Sequence, residues 1–182
     1  MLKWFVVAVV ILAVALLWRR STYANRNLPR VGAPAPPFSL PDQNGDIRSN
    51  ATYRGKWLVL YFYPKDDTPG CIEQALRFRD SLAALGQLGA AVCGVSVDDS
   101  TSHAAFARKY QLPFALLADR GGDTAARYGS LRNLGFIKLA KRNTFLIDPA
   151  GNIAKVRLGV SPSQNADDVA SDLKTLKLRS GS

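Results

Sequence analysis

The sequence predicts an α/β domain with a mixed central sheet flanked by helices, preceded by a single N-terminal transmembrane helix. Three observations lead to this prediction. Apolar runs typical of buried strands alternate with segments of helical periodicity. Two short runs near the C-terminus surround a turn sequence, which indicates an antiparallel hairpin at the end of the sheet. An uncharged apolar run near the N-terminus approaches the length of a membrane span.

The apolar run covers residues 4–18, which contain no charge, Gly or Pro and have a Trp at each end. A spanning helix needs about 20 apolar residues, a length that this run approaches only when Leu2 and a snorkelling Lys3 are counted. A cleavable signal peptide, the alternative, would end in small residues, whereas this run ends in Trp-Arg-Arg. We therefore expect an uncleaved single-pass membrane anchor over residues 1–20. The arginines between residues 19 and 30 outweigh Lys3, so the positive-inside rule favours a cytoplasmic domain by a small margin.

The remaining chain is long enough for one domain and too short for two of ordinary size. Residues 21–37 are rich in Ser, Asn, Arg and Pro, a composition typical of a linker. We place the folded domain at residues 38–178 and a short tail at residues 179–182.

The elements of this domain follow in order. An Asn44-Gly45 turn between two short alternating runs predicts a hairpin. Residues 56–63 form a continuous apolar run between Gly55 and Pro64, which indicates a buried central strand. The spacing of apolar residues then predicts a helix that ends near Gly86. The later elements are a strand at 90–97, a helix at 101–110, a strand at 114–117, a short helix at 123–128, a hairpin of 143–147 with 153–158, and an amphipathic helix at 167–178.

The overall charge and the cysteine count limit the possible functions. The net charge is +10, but no basic cluster interleaved with aromatic residues indicates nucleic-acid binding. Attraction to an anionic membrane surface, or an ordinary solvated surface, accounts for the charge. The two cysteines, Cys71 and Cys93, are too few for a disulfide scaffold. They leave room for one redox-active thiol or one pair.

Cys71 lies where the predicted central strand is followed by its helix. Open α/β sheets place their sites at this carboxyl end of the strands. Thr68 is suited to the N-cap position and Pro69 to the first helical position, so Cys71 falls in the first turn. The positive potential and free N–H groups of a helix N-terminus favour a thiolate, which is the nucleophilic form. The alternative is a cysteine that only packs in the core.

The motif Pro64-x-x-x-Thr68-x-x-Cys71 is similar to the active-site motif of the peroxiredoxins. The surrounding YFYPKDDTPGC, the later SHAAFARKYQLPFALLAD and the segment RNTFLIDPAGNI resemble the bacterioferritin-comigratory-protein, or PrxQ, class of that family. The resemblance extends over residues 28–176. It implies a thioredoxin-like fold and the reduction of hydrogen peroxide and alkyl hydroperoxides without a metal or bound cofactor.

The resemblance also implies roles for four residues. Cys71 corresponds to the peroxidatic cysteine, which attacks the peroxide O–O bond and becomes a sulfenic acid. Thr68 would bond the thiolate or the peroxide through its hydroxyl, and Pro64 would shield the pocket from water. Arg142 matches the arginine beside the cysteine, where a permanent charge helps to ionise the thiol and stabilises the leaving oxygen. The alternative for Arg142 is a solvated residue at a strand edge.

The chain departs from this class at one position. Many members carry a second cysteine five residues after the first, and here that residue is Leu76. We expect Cys93, early in a predicted strand, to be a buried structural thiol. The prediction is therefore a one-cysteine peroxidase, reduced by an external thiol such as glutathione or a thioredoxin-like protein, and a monomer or weak dimer.

Four further expectations concern the remaining polar residues and the rival functions. His103 is expected to be a solvated residue at a helix start, and the acidic pairs 66–67 and 98–99 to be loop and helix-start residues without a metal. A thiol–disulfide oxidoreductase is a weak alternative, because its Cys-x-x-Cys motif would need a cysteine where Gln74 stands. A thioredoxin-fold binding or chaperone module without turnover stays open, because the second cysteine is missing.

Overall fold

The computed structural model describes residues 27–179. Its main sheet has five strands in the order β5-β4-β3-β8-β9, and two two-stranded hairpins, β1-β2 and β6-β7, lie outside it. The strands are β1 Ser39–Pro41, β2 Ile47–Ser49, β3 Trp57–Phe62, β4 Ala90–Ser96, β5 Ala115–Ala118, β6 Leu131–Asn133, β7 Lys138–Ala140, β8 Thr144–Ile147 and β9 Ile153–Arg157. The helices are α1 Pro69–Gln87, α2 Ser100–Tyr110, α3 Asp123–Arg127 and α4 Asn165–Arg179, with a 3-10 turn at Asn50–Tyr53.

The central strand β3 makes the sheet mixed. It pairs in parallel with β4 on one side and antiparallel with β8 on the other. The parallel pair needs a crossover, which α1 supplies, whereas β8 and β9 are joined by a short turn. The predicted α/β fold with a mixed central sheet is confirmed.

Alternation along β3 divides the core into two layers. Val59 and Tyr61 lie in the layer that α1, α2 and α4 cover. Leu58, Leu60 and Phe62 lie in the opposite layer, which is completed by α3 and the N-terminal segment. All five side chains are buried. Because both faces of β3 are covered, its sequence is a continuous apolar run and does not alternate between apolar and polar residues.

The predicted fold class needs one correction, which concerns the transmembrane helix. Among the described residues, no helix is long and apolar enough to cross a bilayer. The run at residues 4–18 is by itself shorter than the roughly 20 residues of a typical span. The predicted anchor at residues 1–20, and with it the predicted membrane location, falls outside the described residues. The fold that the described residues show is the α/β domain.

Two local features differ from the sequence predictions. Residues 32–35 fall within the predicted linker, yet Gly32 N donates to Ile153 O at 2.8 Å and Ala35 N donates to Gly151 O at 2.9 Å. This part of the chain therefore belongs to the domain. The small β6–β7 hairpin was not predicted, because each of its strands has only three residues and its apolar tip is exposed.

Candidate active site

Cys71 lies at the carboxyl end of β3, in the first turn of α1. The helix begins as predicted, with Thr68 at the N-cap and Pro69 at the first position. The backbone N–H groups of Cys71 and Ile72 both donate to the carbonyl of Thr68 at 2.9 Å. The Cys71 side chain is only 1% exposed. The thiol is thus held at the positive end of a 19-residue helix and is shielded from bulk water.

Arg142, in the turn between β7 and β8, lies beside this thiol. Its Nη2 is 3.5 Å from Cys71 Sγ, and its Nη1 donates to Gln74 Oε1 at 2.6 Å and to Gly70 O at 3.3 Å. A Cβ atom on Gly70 would lie 3.2 Å from Nη2, so the glycine permits this close approach. The three contacts fix the plane of the guanidinium and direct its charge towards the sulfur.

Pro64 and Arg142, whose guanidinium lies beside the thiol, together line a pocket of about 460 Å³. Thr68, by contrast, does not place its hydroxyl on the cysteine. The hydroxyl donates to the carbonyl of Lys65 at 3.1 Å, and it makes no capping bond to the helix. The structure therefore brings Pro64, Cys71 and Arg142 together, while Thr68 contacts Cys71 through its backbone carbonyl.

The prediction of a solvated His103 is wrong. The imidazole is fully buried, and its Nδ1 lies 2.8 Å from Asp66 Oδ2. His103 is three and four residues before the buried Phe106 and Ala107, so it lies on the inner face of α2. That spacing could have predicted the burial of His103 from the sequence, but its position near the start of the helix suggested exposure instead.

Asp66 is also buried, although the sequence suggests an ordinary loop residue. Besides His103, the hydroxyls of Tyr63 and Ser102 donate to its carboxylate, each at 2.7 Å. Burial raises the pKa of Asp66, but the hydrogen bonds from His103, Ser102 and Tyr63 outweigh it and hold the pKa below its ordinary value. The carboxylate is therefore ionised at neutral pH.

Gln74 makes a contact in the site that the sequence does not predict. It is fully buried, its Oε1 accepts from Arg142, and its Nε2 has no hydrogen-bond partner among the described residues. Because the side chain is neutral, it orients Arg142 without neutralising the guanidinium charge. Its position three residues after Cys71, on the same side of α1, was the signal for this contact.

Cys93 lies on the other side of the sheet from Cys71. Its register partner on β3 is Leu60, and both side chains belong to the layer opposite that of Cys71. The Cys93 thiol donates to the Tyr53 hydroxyl at 2.8 Å. Burial raises the pKa of Cys93 to about 12, against the lowering effect of that hydrogen bond. The predicted burial of Cys93 is confirmed.

Known proteins resemble this chain over the region that forms the α/β domain. Residues 31–156 match the AhpC/TSA family. The chain is 42% identical over 147 residues to the chloroplastic peroxiredoxin Q of Sedum lineare, covering 80% of this chain and 78% of the relative. It is 42% identical over 130 residues to a putative peroxiredoxin bcp of Coxiella burnetii, covering 69% of this chain and 86% of the relative. Among solved structures, peroxidoxin BcpB of Mycobacterium tuberculosis superposes with a TM-score of 0.76 at 32% identity, over 81% of this chain and 97% of that one.

Proposed function

Because this chain belongs to the AhpC/TSA family and is a thiol peroxidase, we propose that it works through a one-cysteine cycle at Cys71. The peroxiredoxin resemblance and the thioredoxin-like fold that it implied are confirmed by the relatives and by the superposed structure. The observation that carries the assignment of Cys71 is the Arg142 guanidinium, 3.5 Å from its sulfur at the N-terminus of α1.

The oxidative half of the cycle uses the thiolate of Cys71. The sulfur attacks one peroxide oxygen, an S–O bond forms as the O–O bond breaks, and Cys71 becomes a sulfenic acid. The displaced oxygen leaves with the electron pair of the broken bond and takes up a proton, giving water or an alcohol. Negative charge moves from sulfur to this oxygen, and Arg142 lies close enough to stabilise it throughout.

Pro64 and Thr68 form the rest of the proposed site. Pro64 adds an apolar wall to the pocket that contains Arg142, which keeps water away from the reacting atoms. The carbonyl of Thr68 fixes the turn that carries Cys71. Its hydroxyl, bonded to Lys65 O in the resting enzyme, would exchange that partner for a peroxide oxygen.

The reductive half requires a thiol from outside the chain. Leu76 occupies the position that carries a second cysteine in many members of the PrxQ class, and Cys93 faces the opposite layer of the sheet. A thiolate of glutathione or of a thioredoxin-like protein would attack the sulfenic sulfur and release water, forming a mixed disulfide. A second thiolate would then displace Cys71 as a thiolate and leave as the oxidised disulfide.

The two rival functions are not favoured. A binding or chaperone module has no need for an arginine held beside a buried thiol by Gly70 and Gln74. A thioredoxin-type oxidoreductase needs a second cysteine three residues after the first, and Gln74 there is engaged with Arg142.

The test is one equivalent of hydrogen peroxide on the reduced protein, with a sulfenic-acid trap, followed by peptide mass spectrometry. We expect the adduct on Cys71 with Cys93 still reduced, and no adduct in the Cys71→Ser control. The Cys93→Ala variant should retain turnover with glutathione or thioredoxin. A Cys71–Cys93 disulfide would contradict the one-cysteine cycle, and oxidation no faster than that of free cysteine would contradict the assignment of Cys71.

A further inference from the structure

The active-site loop, residues 64–68, is joined to α2 by two neighbouring carboxylates that point in opposite directions. Asp66 points inward and accepts hydrogen bonds from Tyr63, Ser102 and His103. Its backbone N–H also donates to Asp98 Oδ2 at 2.9 Å, just before α2 begins. We call the bonds between the Asp66 carboxylate and these three side chains the inner contact.

Asp67 points outward. Its carboxylate accepts from Lys109 Nζ at 2.7 and 2.9 Å and from the Tyr110 hydroxyl at 2.8 Å, and we call these bonds the outer contact. Asp67 has φ +56°, a left-handed conformation that Asp adopts more readily than most residues with a side chain. The inner and outer contacts both tie the loop to α2.

The inner contact is buried at Tyr63, Asp66 and His103, while Ser102 is partly exposed. Because an ionised carboxylate only accepts hydrogen bonds, His103 Nδ1 donates to Asp66 Oδ2, while His103 Nε2 has no hydrogen-bond partner among the described residues. Ser102 and His103 belong to the first turn of α2, whose positive end favours the ionised carboxylate. Removing one partner from such a group costs far more than breaking an exposed ion pair such as Asp67–Lys109.

The position of the loop decides what can reach Cys71. Thr68 ends the loop, and its carbonyl accepts from the Cys71 N–H, so a displaced loop would also release the first turn of α1. Cys71 is only 1% exposed, and Arg142 beside it lines a pocket large enough for a small peroxide. A thiol reductant must bring its own sulfur into line with the S–O bond of the oxidised cysteine, and a side chain that is 1% exposed leaves no room for that approach.

We propose that His103 and Asp66 are positioning residues that hold the active-site loop closed over Cys71, so that loosening the inner contact favours access of a thiol reductant over reaction with peroxide. This inference rests on the proposed function for its catalytic consequence. The closure itself is a property of the fold.

The test compares His103→Leu, which removes the donor, with His103→Asn, whose amide N–H₂ can occupy the place of Nδ1. In the full chain, an aromatic disulfide reagent measures access to Cys71 without any peroxide. We expect His103→Leu to speed this reaction about tenfold, the scale of one lost buried hydrogen-bond partner. Oxidation of Cys71 by peroxide should slow by a smaller factor, because the closed form stays well populated, and His103→Asn should restore both rates to within about threefold of wild type.

Cys93 is an internal control for general destabilisation, because it is buried on the other side of the sheet. Asp42→Asn is the matched control variant, since it changes a buried carboxylate of the β1–β2 turn that does not touch the active-site loop. Neither it nor Lys109→Met, which breaks part of the outer contact, should change access to Cys71 by more than about twofold.

Two results would overturn the proposal: unchanged access to Cys71 in His103→Leu, or a parallel rise at Cys93. If His103→Leu does not fold, Ser102→Ala removes one donor to Asp66 without opening a large cavity. It should raise access to Cys71 about threefold, and no rise would equally count against the proposal. Slow oxidation of wild-type Cys71 would refute the proposed function alone, because the access measurement does not use peroxide.

Discussion

Arg142 should contribute the largest single side-chain effect on the reaction of Cys71 with peroxide. The perturbation is Arg142→Met, which keeps most of the side-chain volume and removes the charge and all three donor contacts. Arg142→Lys is the matched variant. It retains the charge, but a single ammonium cannot contact Cys71 Sγ, Gln74 Oε1 and Gly70 O in the geometry of the guanidinium.

The magnitude follows from the distance between guanidinium and sulfur. Two unit charges 3.5 Å apart interact by about 5 kcal/mol at an effective dielectric constant near 20, and by about 1 kcal/mol in bulk water. Arg142 is half-buried, which places it between these limits. Only the part of the attraction that is greater for the leaving oxygen than for the attacking sulfur lowers the barrier. Loss of one such donor typically costs about 10²- to 10³-fold in rate, and we expect about a hundredfold loss for Arg142→Met and about tenfold for Arg142→Lys.

The assay is the second-order rate constant for oxidation of Cys71 in a single turnover, stopped at intervals by alkylation and read by intact mass. Circular dichroism and a thermal melt of each variant check that the domain is folded. An Arg142→Met rate within threefold of wild type would refute the reasoning, since the guanidinium would then play no part in stabilising charge. Equal losses for Met and Lys would show that geometry, and not charge alone, carries the effect.

The remaining predictions concern stability and thiol chemistry. Gly94→Ala should lower the free energy of unfolding in urea by about 1–3 kcal/mol, because its Cβ would lie 2.7 Å from the Tyr61 hydroxyl. The pKa of Asp66 is lowered in the folded protein, so wild type should be more stable than Asp66→Asn at any pH well above 3.8, the ordinary pKa of Asp. In urea titrations at successively lower pH, this difference in the free energy of unfolding should disappear as the pH falls through the pKa of Asp66 in the folded protein. Alkylation of Cys93 at pH 8 should be about a thousandfold slower than that of free cysteine, as its pKa of about 12 requires. Gln74→Glu should slow oxidation of Cys71 several-fold in the same single-turnover assay, because a carboxylate would compete for the Arg142 charge.

Much of the fold could be predicted because its signals are local. The apolar run that becomes β3, the Thr68-Pro69 start of α1 and the Asn44-Gly45 turn each carry their own conformational preference. The β6–β7 hairpin could not be predicted in this way. Its strands are short, and Leu134 and Phe136 at its tip are exposed, so no alternation marks the buried face.

The residues of the candidate site likewise differ in whether the local sequence predicts them. The place of Cys71 in a first helical turn follows from adjacent residues, whereas Arg142, 71 positions away, was identified only through a family resemblance. His103 and Asp66 are 37 positions apart and meet because α2 packs beside the active-site loop. Contacts of this kind depend on the tertiary arrangement, and nothing in the sequence near either residue predicts which residue it will contact.

The geometry of β4 explains why the second cysteine of the chain is separated from the first. Side chains alternate across a strand, so Cys93 faces the layer opposite Cys71, and the next position, Gly94, faces the same layer as Cys71. That position cannot accept a thiol without a rearrangement, because even a Cβ there would lie 2.7 Å from the hydroxyl of Tyr61, its register partner on β3. Position 76 on α1, where many members of the PrxQ class carry a second cysteine, is Leu76, and a five-residue separation turns that side chain by about 140° from Cys71. A disulfide between positions 71 and 76 would therefore require both a new cysteine and a local unwinding of α1, whereas an external thiol requires only that the active-site loop open and release the first turn of that helix.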